Sequence, residues 1–268
     1  MDFVTVQGHR LEYQLIPSTD AAAPVIVFLH EGLGSVSMWR DFPTQVVSAT
    51  GCPALVYSRY GYGQSDPLTA SRHASFMHDE GLKALPELLD KLKIDKPILF
   101  GHSDGASIAI ICAGGGARAL TGLIVMAPHV MLEDLSIRSI RAAKQMYETT
   151  DLRAKLARYH ADPDSAFWGW NDVWLNPDFL NWNIEEFLPR IRCPVLAIQG
   201  ENDEYGTMEQ IDRIARQLPD TELVKLPDCG HSPHRDKPSA VLEAVARFVE
   251  KIRRPASAGK APRITTGT

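Results

Sequence analysis

Six short runs of apolar residues recur along the chain, at 25–29, 54–57, 97–100, 123–126, 195–198 and 222–226. A strand that is apolar on both faces must be covered on both faces, as in a parallel sheet held between layers of helices. Helical patterns lie between the runs. Apolar residues at 76, 77, 82, 85, 88, 89 and 92 predict a helix that Pro86 kinks or splits, and those at 241, 242, 244, 245, 248 and 249 predict an amphipathic one. Strands alternating with helices point to a mostly parallel sheet in an α/β domain. Residues 3–6 and 11–15 alternate around Gln7-Gly8-His9 and read as a β-hairpin.

One stretch breaks the alternation. Between about 131 and 190 the pattern is helical with no convincing strand, and four of the five tryptophans (Trp168, Trp170, Trp174 and Trp182) fall there. The organisation expected is a core of residues 1–130 and 190–252, an all-helical insertion at 131–189, and a loose tail at 253–268 of small, polar and proline residues.

Bulk properties exclude several functions. The chain of 268 residues has a net charge of −5, which gives no electrostatic case for nucleic acid or an anionic membrane. There is no basic-then-apolar leader and no apolar run of about 18 residues, so a cytoplasmic location and no membrane partner are expected. Cys52, Cys112, Cys193 and Cys229 are far apart and lack zinc spacing, so they are read as mostly buried thiols, with no metal site.

The run at 97–100 ends in Gly101-His102-Ser103-Asp104-Gly105, followed by the small, helix-compatible residues Ala106 to Ile111. This is the G-x-S-x-G pattern of a nucleophile elbow. A tight strand-to-helix turn forces its central residue into a strained conformation and lifts the hydroxyl above the sheet edge. Flanking side chains would collide, which explains the glycines. The new helix directs free N–H groups and its positive end at the same spot, where an oxyanion beside Ser103 would be stabilised.

A serine hydroxyl needs a base, and the base needs an orienting acid. Asp203 follows the run at 195–198, and His231 follows the run at 222–226, so both fall on the carboxyl-end rim where open α/β sheets collect ligands. Glu201, Glu204 and Asp228 are rival acids; His102 and His234 are rival bases. His102 precedes the serine and is expected to point away from it. The loop His30-Glu31-Gly32-Leu33-Gly34-Ser35 follows another strand. It would supply a second oxyanion donor at Gly32, the first being the N–H of Asp104. A phosphate-binding reading fails, because no Gly-Lys-Ser/Thr follows.

On these residues the chain resembles the α/β-hydrolase superfamily. His30 to Ser35 matches the oxyanion loop, with Glu31 where glycine is usual. Ser58 to Asp66 matches the loop after the next strand, with Ser58 in place of the usual aspartate. Gly101 to Gly105, Asp203 and Gly230-His231-Ser232-Pro233 match the elbow, acid and histidine positions. The resemblance covers nearly all of residues 1–252. It implies the α/β-hydrolase fold, with 131–189 as a helical cap inserted between core strands. It is closest to capped esterases, lactonases and carbon–carbon bond hydrolases. Capped dehalogenases and epoxide hydrolases use an aspartate nucleophile, and Ser103 argues against both.

The expectation is a serine hydrolase with the catalytic set Ser103, Asp203 and His231, acting without cofactor or metal on an ester or lactone of a small apolar or aromatic acyl group. A carbon–carbon hydrolase acting on a diketone uses the same triad. A ligand-binding receptor retaining the fold is the alternative of another class. Substrate contacts are expected from Glu31, Leu33, Arg59, His129, Trp168, Trp170 and Trp174. Asp104 is unusual, because an ionised carboxylate there opposes a developing oxyanion; it suggests a substrate with a positive or hydrogen-bond-donating group. The partner expected is a small molecule, and a homo-oligomer is left open.

Overall fold

The computed structural model describes residues 1–20 and 22–254; most of the tail expected at 253–268 lies outside the described residues. Eight strands form one sheet in the order β1-β2-β4-β3-β5-β6-β7-β8. They are β1 (Asp2–Val6), β2 (His9–Ile16), β3 (Ile26–Leu29), β4 (Ala54–Tyr57), β5 (Ile98–His102), β6 (Gly122–Met126), β7 (Val195–Gly200) and β8 (Glu222–Leu226). β1–β2 and β2–β4 pair antiparallel, and every pairing from β4 to β8 is parallel.

The helices are α1 (Phe42–Thr50), α2 (Phe76–Asp79), α3 (Leu85–Lys91), α4 (Asp104–Gly115), α5 (Asp134–Thr149), α6 (Leu152–Leu156), α7 (Pro163–Trp174), α8 (Glu209–Gln217), α9 (Pro233–Asp236) and α10 (Pro238–Arg253). A π-type turn, Glu80–Ala84, joins α2 to α3. It sits just before Pro86, whose ring lacks an N–H and crowds the preceding turn. Arg253, placed in the tail from the sequence, belongs to α10, and its guanidinium donates to the Thr50 carbonyl at 3.0 Å.

The alternation of side chains along the strands creates two cores. Val27, Leu29, Leu55, Leu99, Leu123, Val125 and Ala197 face α3 and α4. Ile26, Phe28, Val56, Phe100, Ile124, Met126 and Ile198 face α1 and α10. This explains why the central runs at 26–29, 54–57, 98–100, 123–126 and 195–198 are apolar at every position. Phe28 and Phe100 stack across β3 and β5 with centroids 4.9 Å apart.

Register then decides which loops meet. Leu29 pairs with Gly101, so the loop after β3 starts level with the turn after β5. Gly200 pairs with Leu226, which brings the loops after β7 and β8 to the same rim. Between β6 and β7 lie α5, α6 and α7 and two short 3-10 turns, Pro177–Phe179 and Glu185–Arg190. Among the described residues this segment's pairing is a single bridge between Met131 and Asn183. Its aromatic rings pack largely on one another: Tyr147 stacks on Phe167 at 3.7 Å, and Phe179 on Trp182 at 5.2 Å.

Candidate active site

Ser103 stands between β5 and α4 with φ 51° and ψ −119°, the strained conformation expected of the elbow. Its N–H continues the ladder by donating to the Met126 carbonyl at 2.9 Å, and its carbonyl accepts from Ala106 N–H at 2.8 Å as α4 begins. A Cβ on Gly101 would overlap the backbone of Ala106, and one on Gly105 would overlap the Leu29 carbonyl. The glycines therefore let α4 lie directly on β3 and β5.

The three widely spaced side chains converge. His231 Nε2 is 2.9 Å from Ser103 Oγ, and His231 Nδ1 is 2.8 and 3.0 Å from the two Asp203 oxygens. Asp203 is also held by the backbone, because its Oδ1 accepts from Tyr205 N–H at 2.8 Å and Gly206 N–H at 3.2 Å. Burial works against both charges. The His231 cation is nonetheless favoured, because the Asp203 charge and hydrogen bond outweigh desolvation and raise its pKa. Asp203 is pushed up by burial but ends below the usual carboxylate range, through the charge and hydrogen bond of His231 and the Tyr205 amide. With Nδ1 donating to the carboxylate, Nε2 is free to accept the serine proton.

The rival groups do other work. Glu204 accepts from the His231 backbone N–H at 3.1 Å, and Glu201 is exposed. His102 lies 2.7 Å from the His231 carbonyl through Nε2, so it braces the histidine loop rather than the serine. His234 is buried against Trp39 and Phe42, its ring about 5 Å from each.

A cavity of about 110 Å³ opens at Ser103. Its wall includes Glu31, Gly32, Leu33, His129, Trp170 and Trp174, together with Asp104 and His231. Arg59 and Trp168, expected to contact substrate, do not line it. Arg59 is fully buried behind the oxyanion loop, where its guanidinium reaches the His30 and Glu31 carbonyls. Trp168 faces away on α7, edge-on to Tyr147 and beneath Lys144 Nζ at 5.5 Å. Two wall residues were missed. Tyr205 stands two positions after Asp203, its ring 4.7 Å from that of His231. Ile140 lies on the buried face of α5 with Ser136, Ala143 and Tyr147, a helical spacing legible in the sequence.

Two residues of the wall each have one buried polar atom without a protein partner. Asp104 is buried; its Oδ1 accepts from Trp174 Nε1 at 3.2 Å, and its Oδ2 is unpaired. Burial raises its pKa, and Arg59, Arg72 and Trp174 oppose this only in part. His129 Nδ1 is also buried and unpaired; burial first, and then the neighbouring His231, push that imidazole down to about 3, so it is neutral.

Gly32 and Asp104, the oxyanion donors proposed from the sequence, both line this wall. Asp104 is the first residue of α4, where N–H groups have no partner within the helix. Gly32 lies under Trp170, whose indole a Cβ at that position would overlap. Ser58, where the resemblance to the family implies an aspartate, is instead hydrogen-bonded to Glu12 of β2. This buried carboxylate accepts from Ser58 Oγ and Gln64 N–H, both at 2.8 Å. Among the described residues no group of three or more His, Cys, Asp and Glu is arranged to hold a metal ion, and no helix is long and apolar enough to cross a membrane.

Comparison with known proteins agrees with this architecture. The chain is 23 % identical over 276 residues to the sn-1-specific diacylglycerol lipase ABHD11 of Danio rerio, covering 92 % of this chain and 84 % of that protein. It is 26 % identical over 244 residues to Esterase YbfF of Escherichia coli, covering 84 % of this chain and 92 % of the relative. The enol-lactonase from Burkholderia xenovorans LB400 superposes with a TM-score of 0.73 at 18 % identity, over 93 % of this chain and all of that one. Residues 26–244 match the model of the alpha/beta hydrolase family. The chain therefore belongs to the alpha/beta hydrolase family and is a hydrolase.

Proposed function

We propose that this protein hydrolyses carboxylic esters or lactones of small acyl groups through an acyl-enzyme on Ser103. The observation that carries the reading is the unbroken chain of contacts from Asp203 through His231 to Ser103 Oγ, the last at 2.9 Å. His231 Nε2 takes the serine proton as Oγ attacks the substrate carbonyl. The tetrahedral oxyanion is met by the N–H groups of Gly32 and Asp104. Collapse expels the alcohol, which leaves with the proton from His231. Water then adds to the acyl-enzyme with His231 as base, and the acid departs as Oγ recovers its proton. Asp203 keeps the imidazole oriented and stabilises its cation throughout.

Size narrows the acyl group. A cavity of about 150 Å³ holds benzene, so the space of about 110 Å³ beside Ser103 suits a shorter aliphatic chain better than an aromatic acyl group. The apolar side of that group would rest on Leu33, Ile140 and Trp170. A hydrogen-bond donor near the carbonyl would face Asp104, a wall residue whose Oδ2 is buried without a partner.

Labelling with a fluorophosphonate tests the reading, with Ser103→Ala as control. A Ser103 adduct, followed by turnover of short esters or lactones, is expected. No adduct in well-folded protein overturns serine hydrolysis. Labelling with slow single turnover and tight retention of the ligand replaces it with a receptor. Cleavage of a diketone in preference to any ester shifts it to carbon–carbon hydrolysis.

A further inference from the structure

Arg59 is a fully buried guanidinium whose hydrogen bonds go to backbone carbonyls and not to a carboxylate. Burying such a charge is expensive unless the site is built around it. The site here is the back of the oxyanion loop. One guanidinium nitrogen donates to the His30 carbonyl, and Nη2 donates to the Glu31 carbonyl at 3.1 Å. The Arg59 backbone N–H donates to His30 Nε2 at 3.1 Å, which makes that nitrogen the acceptor. His30 therefore carries its proton on Nδ1 and donates it to the same Glu31 carbonyl at 2.6 Å. The Gly34 N–H is a third donor to it, at 3.1 Å.

Three donors thus converge on one carbonyl, and the geometry of the peptide unit gives the consequence. The Glu31–Gly32 peptide is planar and trans, so the Gly32 N–H points opposite to the Glu31 carbonyl. Among the described residues that N–H has no protein acceptor, and Gly32 shares the cavity wall with Ser103. Gly32 must lack a side chain because Trp170 covers it, and a glycine backbone is free to rotate. An unanchored peptide here could turn its carbonyl oxygen toward the reacting centre, where it would repel the oxyanion.

We propose that Arg59, acting with His30, is a positioning residue. It grips the outward carbonyls of the oxyanion loop and so fixes the Gly32 N–H toward the oxyanion. The guanidinium also polarises the peptide it grips, which strengthens the N–H as a donor on the far side. This assignment rests on the hydrolase reading above, and it accounts for the position of Arg59 outside the cavity.

The test uses Arg59→Met and Arg59→Lys with p-nitrophenyl acetate as substrate and a short alkyl trifluoromethyl ketone as inhibitor, whose Ser103 adduct carries an oxyanion. Sites are counted by fluorophosphonate titration. Removing an oxyanion donor costs about 10²- to 10³-fold in kcat. Arg59→Met is therefore expected to lose about 10²-fold in kcat per titrated site and a similar factor in ketone affinity, with KM nearly unchanged. Arg59→Lys should recover part of both, because an ammonium reaches one carbonyl. If Arg59→Met does not fold, Arg59→Lys and His30→Phe carry the test, each with lowered kcat at constant KM. A merely structural arginine would lower the melting temperature or the titrated fraction and leave kcat per site and ketone affinity at wild-type values. That result overturns the proposal. Wild-type protein that is not labelled at Ser103 overturns the hydrolase reading instead.

Discussion

Trp174 donates its indole N–H to Asp104 Oδ1 at 3.2 Å, and this leaves Oδ2 of the same carboxylate buried without a partner, on a residue that lines the cavity beside the nucleophile. The indole N–H holds the orientation of the carboxylate. A carboxylate so placed works against the oxyanion unless a substrate group neutralises it or hydrogen-bonds to it. Esters with an ammonium or hydroxyl group close to the carbonyl should therefore be preferred over their apolar isosteres. A hydrogen bond to a charged group contributes about 1.5–3 kcal/mol, or a selectivity of roughly 10-fold or more. Asp104→Asn should remove most of that preference for ammonium esters while retaining turnover of neutral ones. The measurement is kcat/KM for matched pairs of cationic, hydroxylated and apolar esters. Equal selectivity in the variant and the wild type would retire the idea.

The His231–Asp203 contact fixes the acid limb of the pH profile. Catalysis needs His231 neutral. Its pKa lies above the ordinary 6.5, because the Asp203 charge and hydrogen bond outweigh the opposing effect of burial. Activity should therefore fall as the pH drops through a value above 6.5. In Asp203→Asn the burial penalty remains and the favourable charge is gone, so the limb should move to lower pH. At its plateau the variant should lose several orders of magnitude in kcat, because an amide no longer selects the correct tautomer. A limb that stays in place in Asp203→Asn would show that another acid, such as Glu204, sets the titration of His231.

The elbow stores backbone strain, which sets stability against activity. Ser103 has φ 51°, a conformation that costs a non-glycine residue of order 1–3 kcal/mol. Glycine adopts it freely. Ser103→Gly should abolish turnover and raise the melting temperature by about 2–4 °C for each kcal/mol of strain released, as expected for a chain of roughly this size. Scanning calorimetry on Ser103→Gly and Ser103→Ala separates the effects. Ser103→Ala keeps the strain, so glycine should be the more stable of the two inactive proteins. The reverse order would mean that the turn is not strained.

Much of this arrangement is legible in local sequence because two short-range rules write it. Strands buried on both faces are apolar at every position, which marks β3 to β6 without any partner in view. The turn after β5 needs glycines at 101 and 105 because α4 lies on the backbone of β3. Asp203 and His231 follow from strand ends in the same way. Arg59 and Trp168 were misplaced for a different reason. Their residue types suit a cleft, but whether a side chain enters it depends on the direction in which a loop or helix presents it. Arg59 turns inward to the carbonyls of His30 and Glu31, and Trp168 sits on the far side of α7 from Trp170 and Trp174. Glu12 could not be paired with Ser58 from sequence, because 46 positions separate them and only the β2–β4 pairing joins them. Loops and partners set by long-range register leave no local trace.

Ile140 offers a direct test of which wall sets acyl length. It is buried on α5, lines the same cavity as His231, and carries no reacting atom. Ile140→Ala removes an apolar side chain from the wall and so enlarges the cavity of about 110 Å³, without touching the triad or the oxyanion loop. Each methylene newly accommodated is worth about 0.8 kcal/mol, or roughly fourfold in kcat/KM. The preferred acyl chain should lengthen by one or two carbons at about that increment, while the shortest esters are turned over as before. The same truncation should cost about 2–5 kcal/mol of stability, so the comparison belongs well below the melting temperature of the variant. A chain-length profile superimposable on that of the wild type would place the acyl group elsewhere, toward Glu31 and Tyr205, and the alcohol of the ester against α5.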